Sequence, residues 1–190
     1  VHLKCDECNG QRFKEEILEV KFKNKSIDDI LNMTIEESIT FFDEKDTICQ
    51  KIKSKIEALK EVGLEYIKLG QSSNTLSGGE AQRIKLASFL SNSKSKNRKL
   101  FIFDEPTTGL HFHDVKKLIK ALQDLVEMGH HVIIIEHHLD IIKIADWIID
   151  LGPEGGEKGG NVVFEGTLDN FINSNKKSYT KDYLLKHISN

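Results

Sequence analysis

Two carboxylates follow a short apolar run near the middle of the chain. Residues 100–103 have the composition of a buried strand, and Asp104 and Glu105 come directly after it. In open α/β sheets, ligands bind at the carboxyl edge of the strands. Two acids at that edge are costly unless a cation lies nearby. The pair therefore predicts a cation site, and the alternative is a strand that ends in an exposed turn.

A helix start lies upstream of this pair. Ser77 is a helix-capping residue, and Gly78 and Gly79 leave the first N–H groups of the following helix open. A helix N-terminus with open N–H groups and a partial positive charge binds phosphate. The alternative is an ordinary capping box between Ser77 and Glu80.

A histidine follows the next apolar run. His137 lies just beyond residues 132–135, which read as a second buried strand. Its imidazole can hydrogen-bond a phosphate oxygen. Alone, a histidine after a strand is usually a surface residue.

The order of these features is more specific than any one of them. Leu-Ser-Gly-Gly-Glu-Ala-Gln-Arg at residues 76–83 precedes Phe-Ile-Phe-Asp-Glu-Pro-Thr-Thr-Gly-Leu at residues 101–110, and His137 and Asp140 follow. This order resembles the core of the ABC-type ATPases: signature motif, Walker B strand, D-loop (residues 107–111) and switch histidine. The resemblance implies binding of ATP and Mg²⁺, to which the chain contributes Ser77, Gly78, Gly79, Glu80, Asp104, Glu105 and His137.

Within that set, the resemblance implies distinct roles. Asp104 would hold Mg²⁺ through water, Glu105 would orient and polarise the attacking water, and His137 would contact the γ-phosphate. Glu105 and His137 are the expected catalytic residues, and Asp104 and residues 77–80 are the expected nucleotide-binding residues.

The phosphate-wrapping loop of such enzymes is missing from the sequence. No Gly-x-x-x-x-Gly-Lys-[Ser/Thr] motif occurs, and the glycine-rich residues 155–160 lack the Lys-Ser/Thr ending and precede a strand. We therefore expect the P-loop to lie upstream in a longer protein, and this chain alone to be inactive.

Two cysteines near the beginning have metal-ligand spacing. Cys5 and Cys8 form a Cys-x-x-Cys followed by Gly10, which is typical of half of a zinc knuckle. Zinc needs four ligands, so a partner pair would be required. A chance pair and a redox motif are the alternatives at this point.

Further segments resemble the UvrA family within the ABC ATPases. They are Cys-Asp-Glu-Cys-Asn-Gly-Gln-Arg-Phe at 5–13, residues 69–87, residues 103–114 and the run Ala-Asp-Trp-Ile-Ile-Asp-Leu-Gly-Pro-Glu-Gly-Gly at 145–156. Members of this family carry a four-cysteine zinc module in their second ATPase half. The resemblance therefore implies Zn²⁺ at Cys5 and Cys8, together with a second pair upstream.

The family implies a function in DNA repair. Its members are homodimeric, cytoplasmic ATPases of nucleotide excision repair that scan double-stranded DNA for lesions and load a UvrB partner. Damage is sensed largely through altered DNA shape. The remainder of the longer chain would complete the ATP site.

The elements around these motifs alternate between strands and helices. Apolar runs at 100–103, 132–135, 147–151 and 161–165 predict strands, and residues 112–128 predict an amphipathic helix. This pattern predicts an α/β fold with a largely parallel sheet and flanking helices, the C-terminal part of an ABC-type ATPase domain. Helix signals predominate before Ser77, so we divide the chain into half of a zinc module with a connecting strand at residues 17–22 (1–25), a helical signature subdomain (26–95) and the ATPase core (96–190).

Composition sets few further limits. The 190 residues are 38% hydrophobic and carry a formal net charge of −3, which gives no basic signal for nucleic acid. No apolar run approaches the ~18 residues of a membrane span, and no signal-peptide pattern is present, so we expect a cytoplasmic protein.

Three alternatives to a repair ATPase remain open. One is a UvrA-like paralogue in drug resistance or regulation. Another is a non-catalytic zinc and signature module that completes the ATP site of another chain, against which stands Glu105. A transporter ATPase fits least, because the cysteine pair does not suit it.

Overall fold

The chain forms two compact units. A computed structural model describes residues 5–6, 8, 10–91, 97–152, 154 and 159–189. The helical unit comprises Val1–Leu100 and Thr108–His131, and the strand-rich unit comprises Phe101–Thr107 and Val132–Asn190. Each unit is described by itself.

The helical unit begins with helices whose ends the sequence encodes. Its helices are α1 (Glu15–Leu18), α2 (Ile27–Leu31), α3 (Ile35–Phe41), α4 (Thr47–Lys60), α5 (Gly78–Ser91) and α6 (Phe112–Glu127), with a 3-10 turn at Ser73–Thr75. Ser26 and Thr34 form complete capping boxes at the starts of α2 and α3. Asp46 caps α4 by accepting two backbone N–H groups. These caps are the local signals that begin the helices of the region before Ser77, which was predicted to be helical.

The core of the helical unit lies where α4 contacts α3 and α5 and where α5 contacts α6. Its buried residues include Ile35, Val62, Leu64, Leu86, Leu118 and Leu125. The apolar positions of α6 recur at helical spacing, which places one continuous stripe against this core.

Two strands carry the carboxylates and the histidine. Strands β1 (Leu100–Asp104) and β2 (His131–Ile135) pair in one sheet. The His131 N–H donates to the Lys99 carbonyl at the start, and the Glu105 N–H donates to the Ile135 carbonyl at the end, so the strands run parallel. Both strands were expected to be buried, yet Ile102, Ile133 and Ile135 are half-exposed or more. Every second residue is therefore open, because no described element covers that face.

The strand-rich unit also contains a second sheet. The short helix α7 (Leu139–Ile142) leads to β3 (Ile148–Gly152), which pairs antiparallel with β4 (Asn161–Gly166) across a bulge after Asp150. Helices α8 (Leu168–Ile172) and α9 (Tyr179–Ile188) follow. The core consists of Ile148, Phe171 and Leu184, with Leu139 and Phe164 packed against it.

The predicted α/β class is confirmed. The predicted largely parallel sheet is not: among the described residues β1 and β2 form one parallel pair, and β3 and β4 pair antiparallel in a separate sheet. A further local prediction is also wrong. Residues 17–22 were expected to form a strand, but α1 covers the first two of them and only Phe22 makes an isolated bridge, to Lys25. Val20 is largely exposed. An apolar stretch without a partner strand gains nothing from extension, while Glu15 and Glu16 favour the first turn of a helix. The three-segment division stays a prediction.

Candidate functional site

The N-terminus of α5 carries the predicted phosphate-binding turn. The Ser77 Oγ accepts the Glu80 N–H at 3.2 Å, and the Ser77 N–H donates to Glu80 Oε2 at 2.7 Å. The N–H groups of Gly78 and Gly79 belong to the first turn, where a helix offers no partner of its own. A Cβ placed on Gly78 would meet nothing within 4 Å, so this side of the turn is open to a ligand.

Glu80 braces that turn from both oxygens. Its second oxygen, Oε1, accepts the Tyr66 hydroxyl at 2.6 Å. This hydrogen bond and those from Ser77 lower the pKa of Glu80, although burial opposes them. Glu80 is therefore held ionised by groups of the protein, and its predicted contribution to a nucleotide site would act through the shape of the turn.

Sequence reasoning missed Arg83, one turn further along α5. Its side chain is completely buried, and its guanidinium donates to the Thr108 carbonyl at 3.2 Å. Thr108 belongs to the segment expected to be the D-loop. The arginine therefore ties the signature helix to that segment within the helical unit. A buried charge carries no periodic signal, because burial depends on which helices meet.

The strand-rich unit brings Asp104, Glu105 and His137 to one sheet edge. Asp104 is the last residue of β1, and Glu105 follows with a positive φ of 45°. A non-glycine residue in this conformation is strained by ~1–2 kcal/mol. Glu105 Oε1 lies 3.9 Å from His137 Nδ1, and these side chains are 57% and 84% exposed. Both are therefore available to a ligand in solution.

Glu136, between β2 and His137, is a residue that sequence reasoning did not single out. Its side chain is only 2% exposed. One oxygen accepts the backbone N–H of Thr107 at 2.9 Å and the Thr107 hydroxyl, and the other accepts the N–H groups of His137 at 2.8 Å and His138 at 3.0 Å. Burial alone would raise the pKa of Glu136, but these hydrogen bonds outweigh it and lower the pKa.

The segment after His137 is anchored through Asp140. The His138 ring caps α7 by accepting the Asp140 N–H. The Asp140 carboxylate pairs with Lys143 and lies 3.1 Å from His187 Nε2 of α9. The hydrogen bond from Lys143 is the main cause that lowers the pKa of Asp140, and His187 adds to it. The contact with His187 therefore holds α9 next to the loop that contains His137 and His138.

The cysteine pair stands apart from these sites. Cys5 is exposed and Cys8 is partly buried, while Cys49 is buried in α4. Among the described residues, no group of three or more His, Cys, Asp or Glu side chains is arranged to hold a metal ion. Two thiols at this spacing fit half of a tetrahedral zinc site. The Zn²⁺ assignment stays a prediction.

Some predictions fall outside what the structure describes. The turn at residues 151–156 includes Pro153, Gly155 and Gly156, which lie outside the described residues. The predicted nucleotide contacts divide between the units: residues 77–80 belong to the helical unit, and Asp104, Glu105 and His137 to the strand-rich unit. In the described part of the chain, no helix is long and apolar enough to cross a membrane.

Comparison with known proteins identifies relatives of the chain. The chain is 54% identical to the UvrABC system protein A of Clostridium acetobutylicum over 98% of its length, and 55% identical to that of Rickettsia prowazekii over 99%. It spans only 19% of the length of each of these relatives. The resemblance to the UvrA family is thus confirmed over nearly the whole chain.

A solved structure and a family model agree with this result. The crystal structure of UvrA2 from Deinococcus radiodurans superposes with a TM-score of 0.78 and 40% identity, covering 96% of this chain and 22% of that protein. The model of the ABC transporter family matches residues 7–108. Because that match covers more than half of its residues, the chain belongs to the ABC transporter family.

Proposed function

We propose that this chain is part of an ATP-hydrolysing DNA-damage recognition protein of nucleotide excision repair. The observation that carries the proposal is the placement of Asp104, Glu105 and His137 at the carboxyl edge of one parallel strand pair. A protein of this family hydrolyses ATP, and the 54% identity to a UvrABC system protein A suggests repair as its purpose.

The carboxylates and the histidine have separate tasks in this proposal. Bound ATP and Mg²⁺ supply the phosphoanhydride and the charge that neutralises it. Asp104, the last residue of β1, would hold Mg²⁺ through water. Glu105 orients the attacking water and accepts its proton, and His137 donates a hydrogen bond to a γ-phosphate oxygen. The exposure of Glu105 and His137 suits residues that meet their ligand only when another surface closes over them.

The turn at residues 77–79 acts on a different nucleotide in this proposal. Open N–H groups at the start of α5 clamp the γ-phosphate of an ATP whose P-loop lies in an opposing ATPase half. Since the chain contains no P-loop sequence, it needs the remainder of a longer protein and is inactive alone. The exposed isoleucines of β1 and β2 offer an apolar face for that remainder.

The remaining components follow from the family. Cys5 and Cys8 bind half of a structural zinc site, completed by a second cysteine pair upstream. The full protein forms a homodimer in the cytoplasm, binds lesion-containing double-stranded DNA and loads a UvrB partner. The relatives' name, UvrABC system protein A, supports a place in a UvrABC system.

A test of the repair function uses the full-length protein. We expect its gene to restore ultraviolet resistance to cells that lack their own excision-repair ATPase, and a Glu105→Gln version to fail. Failure of the unaltered gene, with normal expression and ATPase activity, would contradict the repair role. It would favour a paralogue, a possibility raised by the similarity to UvrA2.

A further inference from the structure

A buried carboxylate connects the two loops that carry Glu105 and His137. Glu136 accepts hydrogen bonds from both the backbone and the side chain of Thr107, and from the backbone N–H groups of His137 and His138. Thr107 lies two residues after Glu105. One side chain therefore fixes the segment after β1 and the segment after β2 simultaneously.

The chemistry of this contact requires an ionised carboxylate. The four donors point at two oxygens, and a protonated acid would bring its own hydrogen toward one of them. The hydrogen bonds hold the pKa of Glu136 below its usual value against the effect of burial. Hydrogen bonds from several N–H groups to a buried carboxylate are stronger than the same hydrogen bonds in water, because the local dielectric is low.

The main chain beside Glu136 supports the same connection. The Glu105 N–H donates to the carbonyl of Ile135 at 2.8 Å, one residue before Glu136. Glu105 itself has a positive φ of 45°. Strained backbone of this kind persists only where the surrounding structure over-determines it. The hydrogen bond to the Ile135 carbonyl holds Glu105 in its strained conformation. Glu136 holds the segment that follows Glu105.

We propose that Glu136 is a positioning residue that sets the separation of the Glu105 carboxylate and the His137 imidazole. Glu136 does not touch the nucleotide, since its side chain is 2% exposed and both of its oxygens are engaged by the protein. It acts by fixing the backbone from which each of the two exposed side chains projects. The inference rests on the proposed roles of Glu105 and His137.

The decisive substitution is Glu136→Gln in full-length protein whose other ATP site is disabled. The amide keeps the size of the side chain, but its NH₂ group must face either Thr107 or the N–H groups of His137 and His138. A displacement of ~1 Å at a reacting group costs up to ~10²-fold, so we expect single-turnover hydrolysis to fall ~10- to 10²-fold. The affinity for ATP should stay within about threefold of that of the parent protein, since the substitution slows the chemical step and does not weaken the binding of ATP.

Thr107 provides a milder pair of variants. Thr107→Ser retains both donors and should retain more turnover than Thr107→Val. Thr107→Val keeps the shape and removes only the hydroxyl, so it should show a smaller loss in the same direction. If the Glu136→Gln protein fails to fold, the comparison of Thr107→Ser with Thr107→Val still tests whether Glu136 is a positioning residue.

A double-mutant cycle separates positioning from general destabilisation. If Glu136 acts through Glu105 and His137, adding Glu136→Gln to a Glu105→Gln protein should cost less turnover than the same substitution costs in the parent protein. An additive loss in the cycle would overturn the inference, as would normal turnover of both Glu136→Gln and Thr107→Val. If Glu105→Gln alone is fully active, the proposed function fails instead, and the two failures are thus distinguishable.

Discussion

Glu105 Oε1 lies 3.9 Å from His137 Nδ1, and the two side chains extend into solvent from the ends of neighbouring parallel strands. Neither is held by a direct hydrogen bond to the other at this distance. Their backbones, by contrast, are fixed by the Ile135 carbonyl and by Glu136. The backbone at this site is therefore fixed, while the two exposed side chains can contact a ligand.

The first prediction concerns the charge of Glu105. Glu105→Gln keeps the size of the side chain and removes its ability to accept a proton. We expect ATP binding to persist and single-turnover hydrolysis to fall ~10²–10⁴-fold, as is usual for loss of a general base or water-positioning group. The measurement requires full-length protein with its other ATP site disabled, because a second active site would mask the loss.

Asp104 provides the matched comparison for Glu105. Asp104→Asn should weaken Mg²⁺-dependent nucleotide binding, because we propose that this acid holds Mg²⁺ through water. Turnover of Glu105→Gln within about threefold of its parent would contradict the base assignment, given the ~10²-fold minimum expected. If Asp104→Asn instead spares binding and stops chemistry, the roles of the two acids must be exchanged.

The second prediction concerns the start of α5. Gly78→Asp introduces a carboxylate where no neighbouring atom obstructs a side chain, and Gly78→Asn introduces a neutral group of the same shape. Repulsion between carboxylate and phosphate should abolish ATP-driven closure of the ATPase halves in the Asp variant, whereas the Asn variant should retain more of it. Closure can be followed by distance-dependent fluorescence between the halves. Equal behaviour of the two variants would contradict a phosphate contact at this turn.

The third prediction concerns the cysteine pair. A structural zinc site needs all of its ligands, so Cys8→Ser in the full-length protein should remove about one zinc per chain. Metal analysis of purified protein measures the loss. Cys49→Ala is the control, since Cys49 is buried within α4 and should leave the zinc content unchanged. Unchanged zinc in the Cys8→Ser protein would rule out the pair as ligands.

The fourth prediction concerns pH and the anchoring of α9. The pKa of Asp140 is lowered in the folded protein, chiefly by Lys143 and further by His187. Its stabilising contribution is therefore complete above the ordinary aspartate value of ~3.9 and disappears as pH falls through the lower folded value. Asp140→Asn should remove that contribution at neutral pH.

Hydrogen exchange in the full-length protein measures the effect on α9. At pH 7, Asp140→Asn should reduce the protection of α9 amides roughly ten- to a hundredfold, because hydrogen bonds to a charged group contribute ~1.5–3 kcal/mol. The difference from the parent protein should persist at pH 5 and shrink as pH falls below ~3.9 and through the lower folded pKa of Asp140. Asp169→Asn, at an exposed position in α8, is the control and should change little. Equal protection of parent and Asp140→Asn proteins at pH 7 would refute the anchoring role.

Local sequence determined where most elements begin and which motifs they carry. Ser26, Thr34 and Ser77 each precede an acid by three residues, and each forms the capping box that this spacing predicts. Caps and apolar periodicity depend only on neighbours within a few residues, so they can be predicted without knowledge of the tertiary fold. The placement of Asp104 and Glu105 after β1 follows from the same local logic.

Only the tertiary structure decided which polar groups are buried and what they connect. Arg83 and Glu136 look like ordinary surface charges in the sequence, yet one is completely enclosed and the other accepts four hydrogen bonds inside the protein. Residues 17–22 have strand composition but pair with no strand among the described residues, and part of them is helical. Burial and pairing depend on elements far apart in the chain, such as the segments that carry Thr107 and Glu136, so no local pattern encodes them.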